Sequence, residues 1–378
     1  MKARFVSLLR NNPSALALAV VVIVITFYFH GGVQGIRAGK MLALVIVASM
    51  LWAWTLARKV SWSAGALMAV AALSAVSAGF GPTHAPVLVF VTCGTFLMWW
   101  CAEVGIAKSR PVLWAFVGSA VLQALYGFAQ TQGIDPIFVR TTFQDQWLPV
   151  GTLGQQTLYG PFLAAACGAA IFLEPVLLVV LLPAALLTLS SMTFLSLCAV
   201  AGVYVVHRAG LKIAAGCLAL LIVLGAGAFF LFPSSFAFDD QGRFQIWRSA
   251  LKLWSDRPFF GYGLGSYPVL APLDQSVKLA TEHGYFIQAH NDYVQVLFET
   301  GLLGFLVVLG AFFEVGRGIK RTFGTKEGKA WTAVFAAIAA NALGNFTFHV
   351  APLALIGILS WSFLVSREPA IDGESTGG

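Results

Sequence analysis

Long apolar runs follow one another through almost the whole chain and restrict it to one kind of fold. A helix needs about 20 apolar residues to cross the hydrocarbon core of a bilayer, so runs of this length predict membrane-spanning helices. Over 378 residues, 58% are hydrophobic and 10% are charged, whereas soluble domains carry about 25% charged residues. We therefore predict an all-α, polytopic transmembrane bundle of about twelve spans. A soluble cytosolic enzyme is excluded.

Charged residues and glycine or proline breaks divide the apolar sequence into twelve candidate spans. They cover residues 13–29, 40–57, 62–79, 86–106, 111–129, 157–173, 175–190, 191–207, 211–232, 289–314, 331–346 and 350–366. The run from 175 to 207 would measure about 50 Å as one helix, which exceeds a bilayer core. Two short spans that meet near Ser190 and Ser191 are therefore predicted.

The distribution of lysine and arginine predicts the orientation of these spans. Most of the 23 cationic side chains fall in segments that lie inside if the N-terminus is cytoplasmic, so both termini are expected in the cytoplasm. This topology gives nine spans over 1–232, an outside loop over 233–288, three spans over 289–366 and a disordered cytoplasmic tail over 367–378. The net charge of +7 then reflects topology, and no nucleic-acid partner is expected.

The loop 233–288 is long for a connection in a compact fold, and such loops are usually functional. Hydrophobic residues recur in it at helical spacing and predict an amphipathic helix at the outer membrane surface. These residues are Phe244, Trp247, Ala250, Leu251 and Trp254. Asp240 is a candidate N-cap, and Arg243 projects close to the apolar stripe. Arg243 either snorkels along the interface or points into the protein, where a guanidinium would bind phosphate bidentately.

A glycine-rich segment follows this helix, from Gly261 to Gly265. No strand precedes it and no Gly-Lys-Ser/Thr follows it, so the segment lacks the context of a nucleotide-binding loop. We predict a tight turn that brings the backbone close to a neighbouring helix or to a ligand.

The start of the tenth span concentrates polar side chains. An imidazole such as that of His290, at the outer mouth of a membrane helix, can accept a proton from a hydroxyl near neutral pH. The alternative is a capping or interface histidine. Asn291 or Asp292 can cap the helix, and Asp292, Gln295 and Glu299 share one stripe. An ionisable group as deep as Glu299 is either functional or paired with backbone or a neighbouring helix.

The cysteines and carboxylates give no sign of a bound metal. All five cysteines lie inside apolar runs without C-x-x-C or metal-like spacing. Neither a disulfide framework, a metal site nor a cofactor is expected.

Several of these segments together resemble the bacterial O-antigen ligase and O-antigen polymerase superfamily, which consists of polytopic inner-membrane glycosyltransferases of the GT-C type. The resemblance rests on Gly242-Arg243, Trp247, Pro258, Gly261-Tyr262-Gly263, Ala289-His290-Asn291 and Glu299-x-Gly301-x-x-Gly304, and more weakly on Leu125 to Pro136 and Gly151 to Gln156. It implies transfer of a glycan from undecaprenyl diphosphate to an acceptor hydroxyl at the periplasmic surface, without metal or nucleotide.

The resemblance also implies roles for individual residues. His290 matches the family's histidine, as base or acceptor-orienting group, and Arg243 matches its loop arginine, as ligand of the donor diphosphate. Asn291, Asp292 and Glu299 are supporting candidates around His290.

One position departs from the family's pattern. Members carry an arginine directly after the serine between the seventh and eighth spans, whereas Ser191 is followed here by Met192. A second diphosphate cation is therefore expected elsewhere, and Arg140 is our choice over Arg248 and Arg257. Two further supporting candidates are Gln155, in the turn before the sixth span, and His349, at the outer end of the last span.

The acceptor remains open at this point. Lipid A core, as in an O-antigen ligase, is the first choice, a growing glycan, as in a polymerase, is the second, and protein is the third. Apart from the donor, the acceptor and membrane lipids, no partner is expected. A lipid-linked glycan transporter without catalytic activity is the alternative from a different class.

Overall fold

The computed structural model of the protein describes residues 104–137, 148–217, 242–274 and 286–366, together with Gly94, Leu97, Trp100 and Cys101. Within these residues the chain forms helices, turns and loops and no strand, which confirms the all-α expectation for them. The first three predicted spans, Arg140, Asp240 and the C-terminal tail lie outside the described residues.

The described helices are numbered here in chain order. They run over Arg110–Thr131 (α1), Gln156–Leu173 (α2), Leu178–Leu186 (α3), Ser191–Ala209 (α4), Arg243–Trp254 (α5), Tyr267–Leu270 (α6), Asp292–Thr322 (α7), Lys326–Asn341 (α8) and Ala351–Val365 (α9). Four of them, α1, α2, α4 and α7, are long and apolar enough to cross a membrane. By length and composition these four are candidate membrane spans, and the total of twelve spans stays a prediction.

Helices α2, α4 and α8 pack against one another and form the centre of the main core. Small side chains make this possible, because α2 carries a run of alanines with Gly168 among them. A Cβ at Gly168 would come within 3.0 Å of the Ala333 side chain on α8, so the two backbones approach closely. Close approach through small residues is the usual way in which membrane helices associate.

The helical structure is interrupted between α3 and α4, at the position that the sequence predicts. Helix α3 ends at Leu186, Ser190 is extended, and Ser191 begins α4. The hydroxyls of Thr188 and Thr193 lie 2.9 Å apart across the break. The two short helices replace the single long one that the bilayer could not accommodate.

Helix α5 forms the predicted amphipathic helix, and part of its predicted apolar stripe, Trp247 and Ala250, packs against the protein. Ile246 and Ala250 are buried, whereas Phe244 and Leu251, which the sequence pattern assigns to the apolar stripe, are exposed. The N-cap position is Gly242 in the left-handed conformation and not Asp240. Glycine takes this conformation at little cost, so the helix starts two residues later than predicted.

Helix α7 is the longest described helix and is interrupted at Gly301, whose φ of 65° and ψ of −168° are not helical. The glycine-rich segment lies in this interruption. Tyr262 and Gly263 donate to the carbonyls of Phe298 and Glu299 at 3.1 and 2.8 Å. On the other side, Leu302 and Leu303 donate to Pro258 and Phe259 at 2.7 and 3.2 Å. The backbone groups that the break releases are therefore satisfied by the loop, as membrane-embedded backbone requires.

Candidate active site

The connection between α8 and α9, residues 342–350, is the meeting point of the candidate site, and we call it the 342–350 turn. It contacts the start of α7, because Asp292 N donates to Ala342 O at 2.9 Å. It also contacts the start of α2, where Asn345 Nδ2 donates to Thr157 O at 2.8 Å. Residues far apart in sequence are thus held around one turn.

His290 lies against this turn and immediately precedes α7. Its ring packs edge to face between Phe286 and Phe346, with centroids 5.5 and 5.0 Å away. Its backbone φ is 49°, which a residue other than glycine adopts only when the surroundings hold it there. His290 as a whole is partly exposed.

Hydrogen bonds fix the backbone on both sides of His290. The indole of Trp247 donates to Ala289 O at 2.8 Å, and Ala289 N donates to Gln295 Oε1 at 3.2 Å. Asn291 caps α7, since its Oδ1 accepts from the backbone N–H groups of Tyr293 and Val294 at 3.0 and 3.1 Å. Asn291 therefore serves the helix, which is one of the two capping possibilities that the sequence offered.

Arg243 and Met192 meet at Gly344 in the same turn. A Cβ added to Gly344 would lie 3.7 Å from Nη1 of Arg243 and would overlap Sδ of Met192. Met192, the residue that follows Ser191, is therefore a neighbour of Arg243. Gly344 and Phe346 are two residues apart, so the turn brings Arg243 and His290 to the same region.

The start of α2 borders this region as well. Gln155 is the extended N-cap residue of α2, and it is partly exposed. Thr157, two residues after Gln155, accepts the hydrogen bond from Asn345 in the 342–350 turn.

A connected set of polar side chains runs along α7 behind His290. Gln295 Nε2 lies 3.1 Å from both His349 Nε2 and Glu299 Oε1. Glu299 is buried, and its carboxylate accepts from the backbone N–H groups of Gly265 and Tyr267 at 2.9 and 3.3 Å. These bonds favour the structural interpretation of Glu299, in which it holds the glycine-rich loop against the helix.

Asp292 and His349 form the outer end of this set. His349 Nδ1 lies 3.4 Å from Asp292 Oδ1, and Asp292 Oδ2 accepts from Phe348 N at 3.3 Å. Burial opposes the charging of His349, but contact with Asp292 and the charge of Glu299 outweigh it and raise the pKa of His349 above its ordinary value. His349 therefore ties the start of α9 to α7.

Of the other candidate cations, Arg248 and Arg257 lie in the described residues and are directed elsewhere. Arg248 is exposed on α5, about 140° around the helix axis from Arg243. Arg257 lies over the ring of Tyr262, 5.1 Å from its centroid. Arg140 lies outside the described residues, so its assignment stays a prediction. Among the described residues, no group of three or more His, Cys, Asp and Glu side chains is arranged to hold a metal ion.

Sequence reasoning did not identify the 342–350 turn itself. Its site-forming residues are a glycine, an asparagine and a phenylalanine, Gly344, Asn345 and Phe346, which separate two apolar segments. The pair Asn341 and Asn345 near the end of a span was the available signal, because amides at membrane depth need partners. Asn341 donates to Thr347 Oγ1 at 2.9 Å and thereby shapes the turn.

Comparison with known protein families supports the resemblance. A family model described as O-antigen ligase matches residues 176–309. The matched range includes Met192, Arg243, His290 and Glu299 and ends before the 342–350 turn. The resemblance to the O-antigen ligase and polymerase superfamily is therefore confirmed over that range. No curated protein matches the chain.

Proposed function

We propose that this protein is a bacterial inner-membrane glycosyltransferase that transfers a glycan from undecaprenyl diphosphate to an acceptor hydroxyl at the periplasmic surface. The observation that carries the proposal is that Arg243 and His290 both lie against the 342–350 turn, Arg243 near Gly344 and His290 against Phe346. A cation for the leaving diphosphate and a base for the attacking hydroxyl are the two groups that this chemistry needs.

In the proposed reaction the acceptor oxygen attacks the anomeric carbon of the donor sugar. The hydroxyl proton passes to the imidazole of His290, the new glycosidic bond forms, and the bond from the anomeric carbon to the diphosphate oxygen breaks. The negative charge that develops on the leaving undecaprenyl diphosphate is neutralised by the guanidinium of Arg243. The two phenylalanine rings beside His290 restrict the imidazole to one orientation.

Among possible acceptors we propose lipid A core, so that the reaction is that of an O-antigen ligase. Transfer to a second glycan, as in a polymerase, is the alternative within the same superfamily. Purified protein in proteoliposomes should be incubated with donor and lipid A core, and separately with donor alone. A product on lipid A core supports the ligase, and longer chains from donor alone support the polymerase.

The roles of His290 and Arg243 can be tested in the same assay. His290→Gln should reduce transfer at least about 100-fold, the usual contribution of a general base. His207→Gln is the matched control, because His207 also packs against two aromatic rings, Phe172 and Phe323, but on the C-terminal turn of α4. Full transfer by His290→Gln would exclude the base.

Arg243→Lys keeps the charge but removes bidentate geometry, so the KM for the donor should rise. Arg208→Lys on α4 is the control. A donor KM that is unchanged in Arg243→Lys would exclude the diphosphate assignment.

Met192 favours one further candidate, a lipid-linked glycan binder or transporter that does not catalyse transfer. A methionine stands there in place of the family's second cation, so less positive charge is available to neutralise a leaving diphosphate. This candidate predicts donor binding without product from either acceptor. Any glycosidic product that depends on His290 excludes it.

A further inference from the structure

A cavity of about 440 Å³ lies near the C-terminal end of α7, away from the candidate active site. Its size falls in the range of small-ligand sites, about 300–1,000 Å³. The lining side chains are mostly charged: Glu314, Arg317, Lys320, Arg321 and, at the end of α9, the apolar Val365. Three cations and one carboxylate give this cavity a net positive charge.

An exposed apolar stripe on α7 leads into this cavity. It consists of Leu302, Leu306, Leu309 and Phe313, all exposed. At about 100° per residue, Arg317 and Lys320 continue the same face, and the whole set spans about 80°. Leu302 and Lys320 are separated by about 27 Å of helix, close to the thickness of a hydrocarbon core of about 30 Å. An acyl chain over Leu309 and Phe313 would therefore have its headgroup at Arg317 and Lys320.

Glu314 adds a requirement that a simple anion does not meet. Its Oε2 atom is buried and has no hydrogen-bond partner within the part of the chain that the structure describes. The neighbouring cations are directed elsewhere, since Arg321 Nη2 donates to Val365 O at 3.3 Å and Arg317 lies 5.9 Å from the Phe313 ring centroid. A buried carboxylate oxygen without a donor costs free energy, which a ligand ammonium would remove.

We propose that this cavity binds the headgroup of phosphatidylethanolamine from the adjacent leaflet. The phosphate lies between Arg317 and Lys320, and the primary ammonium donates to Glu314. Phosphatidylcholine carries no N–H on its nitrogen, and phosphatidylglycerol offers only neutral hydroxyl donors, so neither gives Glu314 a charge-assisted hydrogen bond. Basic pockets between membrane helices are known to bind lipid headgroups, and the carboxylate is what makes this one selective. The proposal does not depend on the glycosyltransferase assignment.

The test is lipid retention measured by native mass spectrometry. The purified full chain is exchanged into an equimolar mixture of phosphatidylethanolamine, phosphatidylcholine and phosphatidylglycerol with identical acyl chains. Phosphatidylethanolamine should be retained preferentially. Glu314→Gln should lower that preference about tenfold, the effect of losing a charge-assisted hydrogen bond. The double variant Arg317→Gln with Lys320→Gln should lower the retention of all three lipids.

Controls separate these effects from loss of fold and from free ligands. Lys212→Gln, an exposed lysine in the helical segment after α4, should retain the natural preference. Glu314→Gln keeps the side-chain shape, and an unchanged melting temperature verifies its fold. Equal retention of the three lipids, a preference for phosphatidylglycerol, or an unaltered preference in Glu314→Gln would each overturn the proposal. Competition by free phosphoethanolamine as strong as that by the lipid would overturn it too, since the apolar stripe would then contribute nothing.

Discussion

Gly301 and Gly261 face each other so closely that neither residue has room for a side chain. A Cβ at Gly261 would lie 2.6 Å from the nitrogen of Gly301, and a Cβ at Gly301 would overlap the backbone of Phe259. The interruption of α7 and the turn of the glycine-rich loop therefore require each other. This contact also sets the start of α7, where His290 and Asn291 lie, relative to α5.

Replacement of Gly301 by alanine should destabilise the protein. The φ and ψ of Gly301 lie in a region that glycine alone occupies readily, which costs other residues about 1–3 kcal/mol, and the overlap with Phe259 adds to this. The melting temperature in detergent should fall, and transfer should fall with it. Gly316→Ala on the same helix is the control, because a Cβ there meets nothing within 4 Å. Equal melting temperatures for the two variants would disprove the tight contact.

The sequence predicts the helices of this fold better than their interruptions. The break at Ser190 is predictable because one helix of that length does not fit a bilayer. The break at Gly301 cannot be predicted in this way, because apolar residues continue on both sides of it and glycine is common in membrane helices. Its hydrogen-bond partners are some forty residues earlier in the chain. Only the glycines of 261–265 indicated a close backbone approach.

The candidate site likewise combines residues that the sequence predicts with a neighbouring segment that it does not. Sequence motifs single out His290 and Arg243, and the topology places both near one end of the bundle. Their common neighbour, the turn with Gly344 and Phe346, depends on how α8 and α9 pack, which no local pattern encodes.

Glu299→Gln should loosen the glycine-rich loop without removing a proton-transfer group. The carboxylate accepts two backbone hydrogen bonds and one from Gln295, whereas an amide turns a donor toward one of these donors. We expect a loss of about 1–3 kcal/mol of stability. Transfer should decrease while its pH profile keeps its shape. A shifted pH profile would instead make Glu299 part of the proton chemistry.

The contact of Asp292 with His349 should make stability depend on pH. The pKa of His349 is raised above 6.5 in the folded protein, so protonation favours the folded state. This stabilisation is fully present below about pH 6.5 and is lost as the pH rises through the higher folded-state pKa. Asp292→Asn should flatten that decrease in melting temperature.

Asp274→Asn is the control for this pH dependence. Asp274 pairs with Lys252 at 2.8 Å, and its pKa is lowered first of all by that hydrogen bond. Its contribution to stability is therefore lost in acid and not near neutral pH. If Asp292→Asn and the natural chain show the same decrease above pH 6.5, His349 is not the group responsible.

Met192→Arg should restore a second cation beside Arg243. Met192 reaches Gly344, the residue that Nη1 of Arg243 also approaches, so a guanidinium at position 192 would share the proposed diphosphate site. One added charge-assisted hydrogen bond to phosphate should lower the donor KM about tenfold. Met192→Leu, which conserves volume without charge, should leave the donor KM unchanged. If Met192→Arg does not lower the donor KM, the diphosphate does not bind near Gly344. The proposed role of Arg243 would then be wrong as well.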